Sequence, residues 1–363
     1  MSFLKKIFGS KEEPVKSNQD FWNWFQQNAE SFFKVVKDGH NIEKDFFDKL
    51  SPKLKELKDG FYFLAGMVNN ETAELVLTAD GIISNIAFVE DLVADAPKIK
   101  GWLFTALKPA LNIADVNIKM GDLNFNKDNL SFYYTEKANF PDEIDVSVIH
   151  SDFNEENKDH ITNGTYIFLD NFLGELNFAT TIDKISVIGK DQATQELIPI
   201  EKLKDFLIWR EKEFIERYDG IRHDTENDQY NMLEATLKNG NPLLAVVNTD
   251  LLNWDSKASH PWILNIEVKF SANENGMPNK TDYQLLNDFE DEILSLLKDS
   301  DGYLNIGRET ANGIREIFFA CKDFRKPSKV MHEIEIRYAD KFDISHEIYR
   351  DKYWKSFDRF KGN

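Results

Sequence analysis

Four charged residues flank a short turn in the last third of the chain, two on each side. They are Arg308, Glu309, Arg315 and Glu316. The runs 303–309 and 314–321 have the apolar character of strands, and the Asn312-Gly313 pair between them is typical of a β-hairpin turn. Two guanidinium and two carboxylate groups there could form a polar interaction patch on a sheet, or could serve only to set the register of the hairpin.

Charge favours one register of this hairpin over the other. A two-residue loop, Asn312-Gly313, would place Glu309 opposite Glu316, and like charges directly across a strand pair repel. A three-residue loop, 311–313, would instead place Glu309 opposite Arg315. We therefore predict the three-residue loop, and a structure in which the two glutamates face each other would refute it.

The other side chains that could carry chemistry stand alone in the sequence. His223 lies in a polar segment, which favours a hydrogen-bonded surface histidine. Cys321 ends an apolar run and is typical of a small buried hydrophobe, and Asp80 is typical of a strand-to-helix turn. The motifs GxSxG, GxGxxG, GxxxxGK[ST] and HExxH are absent. We predict no catalytic, cofactor-binding or metal-binding residue, and hence no cofactor.

One predicted helix, around residues 281–297, carries a dense group of acids beside an apolar stripe. The acids are Asp288, Glu290, Asp291 and Glu292. They could ligate a cation, but three of them are consecutive and fan around the helix axis, so we expect a solvated face.

The periodicity of the apolar residues indicates an α+β protein with two domains, each an antiparallel sheet with helices packed on one face. A flexible tail, 1–19, precedes an N-terminal domain, 20–190. A C-terminal domain, 196–363, has the element order of a ferredoxin-like sandwich. Within 20–190, the order of two strands, a helix and a strand occurs twice, which suggests an internal duplication.

Composition excludes several classes of protein. The chain has 363 residues, 44 Lys and Arg against 63 Asp and Glu, and a net charge of −19. Such a charge argues against a protein that binds nucleic acid by neutralising phosphates. One cysteine excludes a disulfide framework and a multi-cysteine metal site. The first arginine is Arg210, so the N-terminal half has no guanidinium group for bidentate recognition of anions.

The sequence predicts no transmembrane segment, because no apolar run reaches the roughly 18 residues of a membrane span. The segment 1–9 has lysines but no apolar core or cleavage site, so it does not resemble a signal peptide. We therefore expect a cytoplasmic protein. Residues 1–9 would have one apolar face if helical, and a weak contact with a membrane surface is the alternative to a frayed tail.

Several segments between residues 200 and 363 resemble the bacterial domain-of-unknown-function family 695. They are Pro261-Trp262-Ile263-Leu264, Asn275-Gly276-Met277-Pro278, Phe289-Glu290-Asp291 within 286–297, Ile306-Gly307-Arg308-Glu309-Thr310, Asn312-Gly313-Ile314-Arg315-Glu316 and Phe318-Phe319. The hairpin is the most specific of these. By fold, the resemblance implies a relation to the regulator of ribonuclease E activity B superfamily, and it carries over no catalytic residue. The segment 74–81, with Ala96-Pro97 and Gly101-Trp102, resembles a module that accompanies this domain in Bacteroidetes proteins.

The charge and the resemblance together favour a non-enzymatic regulator or protein-binding module whose acidic surface docks on a basic protein, with a nuclease as one such partner. An immunity protein that neutralises a toxin and a hydrolase with an unrecognised acidic site stay open as alternatives. The sequence leaves the oligomeric state undetermined.

Overall fold

The computed structural model describes residues 14–361, and the chain divides into two compact units, Met1–Pro109 and Ala110–Asn363. The membrane-contact prediction for 1–9 lies outside the described residues. The tail prediction for 1–19 also lies outside them, except for residues 14–19. Both units combine helices with sheets, which confirms the α+β class. The boundary predicted between 190 and 196 lies inside the second unit.

The first unit is a small sheet with helices. In chain order its elements are α1 (Asn18–Asp38), a π-helical turn (Glu43–Phe47), α2 (Asp48–Leu57), β1 (Tyr62–Asn69), β2 (Thr72–Thr78), α3 (Ile83–Ala94) and β3 (Trp102–Ala106). Ser17 caps the start of α1 by accepting a hydrogen bond from the Asp20 amide, and Gly39 ends the helix in a left-handed conformation. The sheet order is β1-β2-β3, with an antiparallel and then a parallel pair.

The second unit begins with a four-stranded sheet and its helices. Its elements are β4 (Ile118–Met120), β5 (Leu123–Phe125), β6 (Leu130–Thr135), β7 (Asp145–His150), α4 (Lys158–Leu173), α5 (Glu175–Thr181), β8 (Lys184–Ile188), β9 (Ile198–Pro199) and α6 (Leu203–Tyr218). The sheet order is β8-β7-β6-β9, and β4 and β5 form a separate hairpin. β6 and β7 are antiparallel while β7 and β8 are parallel, so the strand pairing of β1, β2 and β3 recurs. The repeated order predicted from the sequence is present at the level of topology.

The segment after residue 196 explains why the division differs from the predicted boundary. Strand β9 pairs with β6, and Ile200, Leu203 and Leu207 are buried in the same apolar core as Phe132 and Phe168. The start of α6 therefore completes the core of the four-stranded sheet and cannot separate from it.

A six-stranded sheet follows. Its elements are β10 (Tyr230–Thr236), β11 (Pro242–Asn248), α7 (Thr249–Asn253), β12 (Trp262–Lys269), α8 (Lys280–Leu296), β13 (Tyr303–Ala311), β14 (Ile314–Cys321), α9 (Arg325–Tyr338) and β15 (Asp343–Arg350). The order is β10-β11-β13-β14-β12-β15, with every pair antiparallel. The elements from β12 to β15 have the β-α-β-β-α-β sequence of a ferredoxin-like fold, as predicted. β10 and β11 extend that sheet beyond β13.

A buried network joins the four-stranded sheet to the end of the chain within the second unit. The Lys352 side chain is fully buried and its Nζ donates to Oδ2 of Asp183 at 2.7 Å. Asp142 accepts hydrogen bonds from the hydroxyls of Tyr218 and Tyr353 at 2.7 and 2.6 Å. Burial lowers the pKa of Lys352 to about 8, against the attraction of Asp183. Because these contacts link segments far apart in sequence, they help to hold the two sheets as one unit.

Candidate functional site

A bulge in β13 decides which way Arg308 points. Asn305 pairs with Phe319 but Gly307 pairs with Phe318, so one extra residue is inserted in β13. Side chains alternate between the two faces of a strand, and the extra residue reverses that alternation beyond it. Arg308 therefore lies on the face of the sheet where Glu290 of α8 is found.

Gly307 permits this bulge because no side chain fits at its position. Its φ is 143°, and a Cβ atom there would lie 2.2 Å from the carbonyl oxygen of Val246 in the neighbouring strand. A backbone approach this close admits only glycine. Gly307 therefore positions Arg308, because the glycine allows the bulge and the bulge places the arginine on the face of the sheet that carries Glu290.

Two arginines share one buried carboxylate on this face. Nη1 of Arg308 donates to Oε2 of Glu290 at 2.8 Å, and Nη1 of Arg315 lies 3.6 Å from the same oxygen. The Glu290 and Arg315 side chains are 6% and 3% exposed, whereas Arg308 is 29% exposed. The group therefore has two positive charges and one negative charge, and one positive charge has no counter-charge within it.

Arg315 is held in place from several sides. Its Nε donates to Oγ1 of Thr310 at 3.3 Å, and its Nη1 donates to Oδ1 of Asn287 at 3.1 Å. Its guanidinium carbon lies 5.8 Å from the centre of the Tyr283 ring. Burial, together with the charge of Arg308, lowers the pKa of Arg315 to about 10, so the group stays protonated at neutral pH.

These side chains line a small cavity of about 220 Å³, which we call the arginine pocket. Its lining residues are Met232, Leu244, Val246, Met277, Pro278, Tyr283, Arg308, Thr310 and Arg315. Only the two arginines among them carry charge at neutral pH, and Glu290 lies behind them. Most of the wall is apolar. The pocket can therefore take an anionic group joined to an apolar body.

The sequence predicts that the acids of α8 form a solvated face, but not all of them face solvent. Glu290 is buried against the two arginines, and Glu292 accepts a hydrogen bond from the hydroxyl of Tyr338 at 2.8 Å. Asp288 and Asp291 are exposed. The solvated-face prediction is therefore wrong for Glu290. Helical spacing could have revealed the burial of Glu290, because this residue lies one turn after the buried Leu286 and so belongs to the apolar stripe.

The three-residue loop predicted for the hairpin is wrong. Ala311 pairs with Ile314, which leaves a two-residue Asn312-Gly313 loop, and Glu309 faces Glu316. Both loop residues have positive φ, 50° and 81°, as a tight two-residue hairpin turn requires. The four predicted patch residues are consequently split, with Arg308 and Arg315 in the arginine pocket and the two glutamates on the opposite face of the sheet.

The glutamate pair is tolerated through protonation and polar neighbours. Nδ2 of Asn265 donates to Glu316 at 3.1 Å, and Nη2 of Arg359 lies 3.5 Å from Glu309. Burial, and then the neighbouring Glu316, raise the pKa of Glu309 to about 7. A proton shared between the two carboxyl groups removes the repulsion between like charges on which the prediction of a three-residue loop was based.

Replacing Glu309 with glutamine is expected to stabilise the protein by about 2 kcal/mol at pH 8. The folded chain keeps a proton on Glu309 that the unfolded chain releases between about pH 4.5 and 7, so stability falls as pH rises through that window. Glu309→Gln should remove this part of the pH dependence. Urea unfolding at pH 5 and pH 8 measures it, with Glu333→Gln on the exposed side of α9 as the control. An unchanged pH dependence in Glu309→Gln would contradict the assignment.

The isolated residues considered earlier have local partners. Nε2 of His223 lies 2.8 Å from Oδ2 of Asp228, and Asp80 pairs with Lys108 at 3.3 Å. Cys321 is buried, which raises the pKa of its thiol. Across residues 14–361, no group of three or more His, Cys, Asp or Glu side chains has the geometry to hold a metal ion.

The arginine pocket opens beside one of the two edge strands of the six-stranded sheet, β10 (Tyr230–Thr236), which we call the open edge. No described strand pairs with the outer side of β10. Six of its seven residues are exposed, and Met232, which also lines the pocket, is 74% exposed. This strand is not predicted from the sequence, because exposure on both faces leaves no apolar alternation to detect.

Among the described residues, no helix combines the length and apolar character that crossing a membrane requires.

Comparisons with known proteins give one match. Searches of curated proteins and of solved structures found no match to the chain. The model of a family of unknown function, DUF695, matches residues 232–360. This match begins within the open edge, includes the whole arginine pocket and ends ten residues after β15, so the C-terminal part of the chain is similar to DUF695.

Proposed function

We propose that the protein is a non-enzymatic, cytoplasmic binding module that regulates a partner protein through the open edge and the adjoining arginine pocket. The observation that carries this proposal is the exposure of β10. β10 pairs with β11 on one side, so the backbone N–H and C=O groups of every second one of its seven residues point outward and have no described strand partner. An edge of this length is a template for pairing with another chain.

The open edge also lacks most of the features that commonly protect such strands, since its one charged side chain is the exposed Glu234. Its sequence, YNMLEAT, contains no lysine and no proline, and its exposed side chains include Tyr230 and Met232. Lysine, proline and covering loops are the usual defences against edge-to-edge association. Their absence from this strand supports a role in recognition of a partner.

The partner's overall charge follows from the chain as a whole. A net charge of −19 favours association with a basic protein through long-range attraction. A nuclease fits this description, and it is also the class that the resemblance of residues 200–363 implies, through the regulator of ribonuclease E activity B superfamily. A basic toxin would be bound in the same way. Binding to either should weaken as ionic strength rises.

A single substitution on the open edge tests the proposal. Met232→Glu should abolish recovery of the partner when tagged full-length chain is used to capture proteins from the source cells at low salt. The change puts a charge at an exposed apolar position that a bound segment would cover. Bound proteins are quantified by mass spectrometry, and the partner is the protein whose recovery depends on Met232.

Ile336→Glu provides the matched control. Ile336 lies on α9, away from the open edge, and is 67% exposed, close to the 74% of Met232. It receives the same new charge, so general effects of an added glutamate cancel. Equal recovery of every captured protein by the two variants would overturn the proposal.

A further inference from the structure

We infer that the arginine pocket binds one carboxylate, supplied by an aspartate or glutamate side chain on an apolar segment of the partner protein. This inference rests on the proposed function, because it names the group that anchors the partner beside the open edge. Three observations carry it: the charge of the pocket, the donors left on its arginines and the character and size of its walls.

Charge selects a singly charged anion. Two guanidinium groups and one carboxylate leave one positive charge among Arg308, Arg315 and Glu290. A carboxylate would neutralise it. A phosphate group with nearly two negative charges would leave an excess negative charge in a largely buried place, which is unfavourable.

Arg308 has hydrogen-bond donors to offer. Within residues 14–361, the one hydrogen bond of its guanidinium group runs from Nη1 to Glu290, and the side chain is 29% exposed. Nε and Nη2 remain for a ligand. The planar fork of an arginine suits the two oxygens of a carboxylate, and such charge-assisted bonds are stronger than neutral ones.

The walls and size of the pocket describe what carries the carboxylate. Met232, Leu244 and Val246 come from the two strands nearest the edge, and Met277 and Pro278 come from the segment before α8. A volume of about 220 Å³ is below that of most small-molecule sites and suits a side chain. Because Met232 belongs to both the pocket and the open edge, a segment paired with β10 could place a side chain in the pocket.

The methionines of the pocket provide the readout. The chain has 6 methionines, of which Met232 and Met277 line the pocket and Met331 is buried in the sheet core. Full-length protein labelled with ¹³C at the methionine methyl groups is titrated with a capped leucine–glutamate–leucine peptide. The matched probe is the same peptide with glutamine. The glutamate peptide should shift the Met232 and Met277 signals with an affinity at least about tenfold higher than the glutamine peptide.

Variants of two arginines connect this effect to the pocket. Arg308→Gln should weaken binding of the glutamate peptide about tenfold, because it leaves Arg315 and Glu290 as a neutral pair. Arg222→Gln removes an equal charge from an exposed loop and should leave the affinity unchanged. An unshifted Met331 signal shows that each variant is folded. Since the two peptides are compared on the wild-type chain, the test does not depend on the variants alone.

Three results would overturn the inference. They are equal affinities for the two peptides, shifts of the pocket methionines by inorganic phosphate at lower concentration than by the glutamate peptide, and an Arg308→Gln variant that binds the peptide as wild type does. If the peptides are not distinguished while capture of the partner still depends on Met232, the carboxylate anchor is wrong and the proposed function stands. If they are distinguished but capture does not depend on Met232, the anion site stands and the proposed function fails.

Discussion

Glu290→Gln is expected to lower the free energy of unfolding by about 3 kcal/mol, because it leaves the buried Arg315 and the partly buried Arg308 without their counter-charge. The Glu290 side chain is 6% exposed and lies 2.8 Å from Arg308 and 3.6 Å from Arg315. Glutamine keeps the size of the side chain and removes the charge, so the loss measures electrostatics rather than packing. Urea unfolding at pH 7 gives the value.

Asp291→Asn is the matched control for this experiment. Asp291 is the next residue on α8 but is exposed, so the same change from acid to amide should alter stability by less than about 0.5 kcal/mol. A Glu290→Gln variant as stable as Asp291→Asn would show that the arginine pocket is not held by this carboxylate.

Gly307→Ala is expected to lower the free energy of unfolding by about 3 kcal/mol and to displace Arg308 from the pocket. The added methyl group would lie 2.2 Å from the carbonyl oxygen of Val246, and alanine disfavours a φ of 143°. Relief of the clash requires β11 and β13 to move apart at the bulge. Thermal unfolding measures the stability, and the Met232 methyl signal reports the pocket.

Gly66→Ala separates this effect from a general effect of glycine in strands. Gly66 lies in β1, its backbone is ordinary extended strand, and a Cβ atom there would meet nothing within 4 Å. The substitution should be neutral or slightly stabilising, because alanine reduces the freedom of the unfolded chain. Equal losses for the two variants would mean that the bulge does not need a glycine.

The core of the C-terminal fold could be predicted from the sequence. Strand β12 alternates between apolar and polar residues along most of its length, and α8 has a continuous apolar stripe, so both elements and the ferredoxin-like order followed from periodicity. The open edge could not, because β10 is exposed on both faces and is defined by its pairing with β11. The strand that periodicity did not reveal lies at the margin of the sheet, where burial does not impose a pattern.

The hairpin register shows why charge pairing alone was insufficient. A cross-strand ion pair contributes only about 0.2–1 kcal/mol, yet the prediction of a three-residue loop rested on such pairs alone. The structure instead satisfies the turn geometry of Asn312-Gly313 and brings Arg315 to the helix side, where Glu290 is buried. Protonation of Glu309 then reduces the cost of facing Glu316. Glu290, which lies beside Arg315 in this register, is on another element and is not visible from the hairpin sequence.

Amide hydrogen exchange of the full chain, alone and with the partner identified through Met232, tests the central claim most directly. If a partner segment pairs with the open edge, the amides of β10, Tyr230–Thr236, that face outward should exchange more slowly in the complex, since they gain hydrogen bonds. Unchanged exchange in β10, with protection confined to another surface such as α9, would contradict the account.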